Sequence, residues 1–262
     1  MDAQLPPEAQ YGSLPFDVFA TKHWDHELPQ DQDGQQWERL VHRYWNLTPP
    51  ERFPYHDAAN TNSKDLSKEE ISRCLVPFQT AQERIICANA HNTRWIPVFV
   101  RTYYREDLNE AYETLIDRDA IAEYGELNDR TLYDGCNWSQ ILQRIPLLVD
   151  TPQMSVLEDT ADWNYRHQQD PPTHELPRES LEKADRGDHT LLYVADEEAL
   201  LERLVKIKWL GLHGQCIWEN KIVPGALQSF SGALADGQSL QELVERFLGQ
   251  GESQNGGILC SN

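Results

Sequence analysis

The sequence predicts an α/β fold: a three-layer sandwich on a mainly parallel sheet, with a C-terminal antiparallel hairpin and a helical N-terminal extension. Three apolar runs carry the parallel sheet: Ile96-Pro97-Val98-Phe99-Val100, Ile145-Pro146-Leu147-Leu148-Val149 and Thr190-Leu191-Leu192-Tyr193-Val194. Each leads to polar residues and then a helix, the pattern of strands buried on both faces between helix layers. Two alternating segments, 205–210 and 216–222, flank His213-Gly214 and read as the hairpin.

The elements follow in chain order. Residues 1–34 are rich in Pro, Gln and Asp, with Tyr11, Phe16, Phe19 and Trp24 scattered among them, and read as an extended arm. Trp37, Leu40, Val41, Tyr44 and Trp45 recur at three- and four-residue spacing and predict a helix over about 35–46. Pro49 and Pro50 end it, and 51–65 reads as loop. Ser67-x-x-Glu70 is a capping box, in which hydroxyl and carboxylate each satisfy an orphan backbone N–H of the helix that follows. A second helix is expected over roughly 80–90, with Ile85, Ile86 and Ala88 on its apolar side.

Beyond the first apolar run, Glu106-Asp107 opens an amphipathic helix carrying Leu108, Ala111, Tyr112, Leu115 and Ile116. A short helix over 197–204 follows the third run. Pro224 starts a helix with Leu227 and Phe230, and Ser239-x-x-Glu242 caps a last one with Leu240, Leu243, Val244 and Phe247. The division expected is therefore an arm and helical extension over 1–93, an α/β domain over 94–248 and a disordered tail over 249–262.

Composition narrows the function. Of 262 residues, 43 are Asp or Glu and 23 are Lys or Arg, a formal charge of −20 that repels phosphate backbones and anionic membrane surfaces. Neither nucleic acid nor membrane is expected as a partner. The chain opens Met1-Asp2-Ala3-Gln4-Leu5-Pro6-Pro7, without the basic and apolar regions of a signal peptide, and the cytoplasm is expected. The five cysteines are widely spaced and form no C-x-x-C pair, so Cys74 and Cys216 read as buried thiols in a reducing compartment.

The motifs that carry nucleotide chemistry are missing. The sequence has no G-x-x-x-x-G-K-[ST] loop, no G-x-G-x-x-G turn and no G-x-S-x-G elbow, and no cofactor is expected. His23 and His26 lie beside Asp25 and Glu27 and are the metal-ligand types present, though a flexible arm offers them no rigid support. Cys136, with His167 and His174 downstream, has the residue types of a Cys–His pair, but nothing sets the cysteine on a helix N-terminus or beside a base. One geometric argument points to a site. In an open parallel sheet, ligands bind outside the carboxyl ends of the strands. Those ends would present Arg101, Thr102, Asp150, Thr151, Asp196 and Glu197 on one edge, with Asp150-Thr151 as a turn and Asp196 as a helix cap in the competing structural reading.

The segments Val98-Phe99-Val100-Arg101-Thr102, Leu148-Val149-Asp150-Thr151-Pro152, Leu191-Leu192-Tyr193-Val194-Ala195-Asp196 and Ile222-Val223-Pro224-x-x-Leu227-x-Ser229 resemble an uncharacterised α/β domain family of bacteria and fungi. The resemblance covers about 94–248 and implies the fold without an activity. The expectation for function is a non-catalytic binding or accessory protein for a protein or small-molecule ligand. The alternative is a cofactor-free hydrolase, isomerase or lyase acting on a small metabolite at the strand ends.

Overall fold

The computed structural model describes residues 11–61, 67–92, 98–116, 125–150, 190–211, 213–235, 243 and 258–259, which fall into two compact units. Of these, the first unit takes 11–61, 67–92, 142–150 and 213–214, and the second takes the remainder. The units divide between Arg94 and Trp95. The return of 142–150 to the first unit was not expected.

The first unit is helical: α1 (Pro15–His23), α2 (Asp33–Trp45), α3 (Pro49–Asn60), α4 (Lys68–Cys74) and α5 (Ala81–Asn92). The expected extended arm is thus a helix from Pro15. Proline at the first helical turn costs no hydrogen bond, and Asp17 accepts from the backbone N–H groups of Gly12 and Leu14. The loop expected at 51–65 is likewise helix as far as Asn60. Pro49 ends one helix and starts the next, because Thr48 and Glu51 form a capping box around it. The Ser67–Glu70 box caps α4 as expected.

The arm's aromatics form a core inside this unit. Phe16 meets Trp37 and Tyr44 edge-on at 5.1 and 5.3 Å, Phe19 meets Tyr44 and Tyr55 at 5.2 and 5.1 Å, and Trp37 stacks on Phe78 at 4.8 Å. Phe16 and Phe19 are buried, so α1 covers the apolar stripe of α2. Charge is buried here too. The Arg84 guanidinium grips the Asp17 carboxylate at 2.5 and 2.7 Å, both side chains being essentially inaccessible. Glu83 is equally buried, and pairs with Arg144 while accepting from the Thr80 N–H at 2.6 Å.

The run at 145–149, expected as a strand, is a 3-10 helix over Pro146–Asp150 with every residue buried. A short apolar run cannot distinguish a buried strand from a buried helical turn. Here the Trp45 indole N–H bonds to the Pro146 carbonyl at 3.1 Å and the Trp37 indole to the Gln143 carbonyl at 3.0 Å, tying the segment to α2 rather than to a ladder.

The second unit contains β1 (Val98–Arg101), α6 (Asn109–Leu115), β2 (Glu126–Leu127), α7 (Arg130–Tyr133), the start of α8 (Trp138–Arg144), β3 (Thr190–Ala195), α9 (Glu197–Glu202), β4 (Val205–Leu210), β5 (Cys216–Ile222), α10 (Leu227–Ala235) and β6 (Ile258–Leu259). The strands form one sheet in the order β2-β1-β3-β4-β5-β6. β1 pairs in parallel with β2 and β3, as β5 does with β6, whereas β3–β4 and β4–β5 are antiparallel and are the longest ladders. The fold is α/β, but the sheet is mixed rather than mainly parallel. A parallel return needs a long crossover. After the six-residue α9, Arg203 adopts a left-handed conformation (φ 56°), and the chain turns straight back into β4.

The 98–101 and 190–195 strands are parallel neighbours as expected, and the hairpin forms over the expected residues. Phe99, Leu191, Tyr193, Ile207 and Trp209 share one buried cluster with Tyr112, Leu115, Leu200, Leu227 and Phe230 from the helices. Val98, Val100, Leu192 and Val194, on the opposite sheet face, are buried as well. β2 gave no signal in the sequence, and Ile258–Leu259, placed in a tail expected to be disordered, form β6. The first run's Ile96 and Pro97, most of the last expected helix and the rest of the tail lie outside the described residues. Among the described residues no helix is long and apolar enough to cross a membrane.

Removing one partner of a fully buried ion pair strands the other charge, at a cost of about 3–5 kcal/mol. Arg84→Met is therefore expected to lower unfolding free energy by that amount in urea denaturation. A loss below about 1 kcal/mol, the range of exposed pairs, would show that water reaches Asp17.

Candidate functional site

The three parallel strands β2, β1 and β3 end on one edge of the sheet, and their register places Arg101 beside Ala195. Strand order reverses here: the chain leaves β1 for β2 on one side and returns as β3 on the other. Such a reversal opens a crevice at the carboxyl ends of the strands. The residues that follow the strands therefore gather at this edge: Thr102, Tyr103 and Tyr104 after β1, Asn128 and Asp129 after β2, Asp196 and Glu197 after β3.

Arg101 is the best-held residue of the group. Its guanidinium carbon lies 4.7 Å from the Tyr104 ring centre and 4.4 Å from that of Tyr112. Nε donates to the Tyr103 carbonyl at 2.8 Å and Nη2 to the Asn109 side-chain oxygen at 2.6 Å. The two rings cover its faces, and the two bonds fix its rotation in their plane. Tyr104 in turn donates its hydroxyl to the Arg101 carbonyl at 2.9 Å, and Tyr112 donates to Glu126 at 2.8 Å. Burial pushes the Tyr104 and Tyr112 phenols well above their ordinary value, with the Glu126 carboxylate adding to the rise at Tyr112. Both stay neutral donors.

The neighbouring groups are engaged. Thr102 is buried, its N–H bonded to the Ala195 carbonyl at 3.1 Å and its carbonyl to the Gly135 N–H at 2.9 Å. Asp196 caps α9 through the Ala199 N–H at 3.0 Å and pairs with Lys206 at 2.5 Å. Glu197 accepts from the Tyr103 hydroxyl at 2.8 Å, and this bond raises the Tyr103 phenol pKa.

Asp150 belongs to the first unit. Its carboxylate, nearly inaccessible, receives the Tyr44 hydroxyl at 2.6 Å, Arg52 Nη1 at 2.8 Å and His56 Nε2 at 2.9 Å. Burial alone would raise its pKa. The attraction of His56 and Arg52 and the bonds from His56 and Tyr44 outweigh it, and hold the carboxyl well below the usual range. The partner guanidinium is Arg52, from a stretch read as loop in the sequence. Thr151 lies outside the described residues.

His23 and His26 take separate roles. His23 Nε2 meets the Tyr55 hydroxyl at 3.0 Å, and burial lowers its pKa, with Arg43 and Lys22 adding to the effect. His26 is exposed, and its carbonyl accepts from Arg73. Among the described residues no group of three or more His, Cys, Asp or Glu gathers to hold a metal ion. Cys136 donates its thiol to the Leu132 carbonyl at 3.2 Å, while His167 and His174 lie outside the described residues. Cys74 and Cys87 are buried, which pushes each thiol up to about 12.

Sequence reasoning missed Tyr103, Tyr104, Tyr112 and Asn109 as the setting of Arg101. The Tyr103-Tyr104 pair immediately after an apolar run was the available signal. It also missed Tyr44, Arg52 and His56, which no local pattern connects to Asp150. Comparison of the chain with known protein families, curated proteins and solved structures gives no match.

The Asp150 arrangement has a pH consequence. A carboxyl whose folded pKa is depressed contributes stability in full above its unfolded pKa, about 3.9, and loses it as pH falls towards the folded value. Asp150→Asn should therefore destabilise the protein at neutral pH by about 3–5 kcal/mol. In denaturant melts the gap between the two proteins should narrow progressively below about pH 4. A gap that stays constant with pH would show that Asp150 carries no charge in the folded state.

Proposed function

We propose that the protein is a non-catalytic binding or accessory protein of the cytoplasm, with its ligand edge at the carboxyl ends of β1 and β3. The observation that carries the reading is the clamped Arg101 guanidinium between Tyr104 and Tyr112. A donor group held rigid before a ligand arrives loses little freedom when it binds. The same geometry favours binding over chemistry. Asp196 is engaged by a helix N-terminus and a lysine, and Glu197 by a phenol, so the acidic groups of the edge have structural occupations. A cofactor-free hydrolase, isomerase or lyase would need one of them as a base.

Arg101, Thr102 and Asp196 are the residues assigned to ligand binding in this reading, with Arg101 first among them; Asp150, expected beside them from the sequence, belongs to the first unit and is not among them. The excess of 43 acidic over 23 basic residues supports a small-molecule or protein partner over nucleic acid or an anionic membrane surface. The layered arrangement belongs to the same reading. Burial of Val98, Val100, Leu192 and Val194 opposite the Phe99 face supports cover on both sides of the sheet, as in a three-layer sandwich. So does the likeness of 94–248 to the bacterial and fungal α/β domain family, which brings no activity with it.

A thermal-shift screen against small metabolites tests the proposal, since a ligand bound by the native state alone raises the melting temperature. The expected result is a stabilising compound that mass spectrometry recovers unchanged after prolonged incubation with the protein. Conversion of that compound, abolished by Asp196→Asn or Glu197→Gln, would replace the binding protein with an enzyme.

A further inference from the structure

Three arginines are buried among the described residues: Arg52, Arg84 and Arg101. The first two meet buried carboxylates, Asp150 at 2.8 Å and Asp17 at 2.5 Å. Arg101 is 6% exposed, yet it pairs with no carboxylate among the described residues. Its Nε and Nη2 donate to two neutral oxygens, and its Nη1 amino group meets no acceptor among those residues. A guanidinium cannot shed its charge, and burying it without a counter-charge is costly. An anion from outside the chain would supply the counter-charge that the described residues do not.

Position agrees with charge. Arg101 closes β1 next to the end of β3, at the reversal of strand order where parallel sheets open a ligand crevice. Tyr104 and Tyr112 lie over the guanidinium at 4.7 and 4.4 Å, and with Nε and Nη2 already bonded, Nη1 is the donor left for an incoming acceptor. Tyr103 and Tyr104 are themselves partly exposed beside it. Glu126, Asp129 and Asp134 all act electrostatically on Tyr104, and this acidic surround resists a second negative charge on the ligand.

We propose that Arg101 anchors a site for a small monocarboxylate, whose carboxylate accepts from Nη1 and whose body lies along Tyr103 and Tyr104. The proposal rests on the reading of the strand ends as the binding edge. Benzoate is the probe, with benzamide as its uncharged match and inorganic phosphate as the other anion, each added to the full chain at millimolar concentration. Benzoate is expected to raise the melting temperature saturably, and benzamide and phosphate to leave it unchanged. Arg101→Lys keeps a charge but loses the planar fork, and should weaken the apparent Kd for benzoate by roughly tenfold or more. Circular dichroism of the unliganded variant checks its fold. If it does not fold, the benzoate and benzamide comparison on the unaltered chain decides.

No shift with benzoate, an equal shift with benzamide or phosphate, or unchanged affinity in Arg101→Lys would each overturn the monocarboxylate site. The two readings fail separately. A neutral compound that stabilises the chain where benzoate does not would leave the binding protein standing without this site. A carboxylate that binds through Arg101 and is then chemically altered would keep the site and remove the non-catalytic reading.

Discussion

Asp150 has to be satisfied wherever it is buried, and most of the first unit's architecture answers that demand. A carboxylate removed from water is tolerated when charged and hydrogen-bonding partners replace its hydration. Here the partners come from two helices: Tyr44 from α2, and Arg52 and His56 from α3. Their convergence holds the 146–150 turn against those helices and explains why an apolar run of strand-like composition is drawn into a helical unit. Glu83 with Arg144 repeats the device a few residues earlier, joining α5 to the same returning segment. Asp17 with Arg84 then joins α1 to α5. Three buried carboxylates are each matched by an arginine distant in sequence. A misplaced helix would strand a charge, whereas a misplaced apolar face would lose only part of its burial.

The second unit is held differently, and this difference gives Arg101 its meaning. Its core is an apolar cluster from one sheet face and three helices, and its ion pairs lie near the surface. Glu198, for example, bonds to Lys206 and Lys221, which brings its carboxyl down to about 2 while the side chain stays half exposed. Such pairs are screened by water and contribute little. Against that background a buried guanidinium with neutral partners stands apart. Its energetic needs are met in part by the two tyrosine rings, since a cation over an aromatic face recovers some of the attraction it loses with water. The rings do not accept from the Nη1 edge.

Much of the fold was legible because burial leaves a periodic trace. Val98–Arg101 and Thr190–Ala195 are apolar on both faces, the hairpin alternates, and α2 and α6 show helical spacing. What was not legible had no local trace. Pro15 and Pro49 read equally as breakers and as first-turn residues, and the capping carboxylates Asp17 and Glu51 decide between the two only when the helix already exists. β2 is two residues long and depends on its neighbour's ladder. The Ile145–Val149 run carried a true signal of burial and a false one of strand. At the candidate site, Arg101 and Asp196 were placed on one edge by the parallel register of β1 and β3, which strand pattern can predict. The tyrosine clamp could not be read, because it needs the path of the chain from β1 into α6.

The two kinds of buried arginine divide the chemistry of the chain between its units. In the first, each guanidinium is answered inside the fold, so its charge is spent on assembly and responds to acid through the carboxylate it holds. In the second, the described residues give Arg101 a position but no carboxylate partner. Asn109 and the Tyr103 carbonyl orient the fork, Tyr104 and Tyr112 lie over it, and none of the four neutralises it. Orientation without neutralisation is costly for a residue whose sole duty is structural, since a leucine would fill the same space without a charge to bury. It is favourable for a residue that must present a fixed donor to something arriving from solution, because the hydration given up in building the site is replaced by charge-assisted bonds when an anion binds.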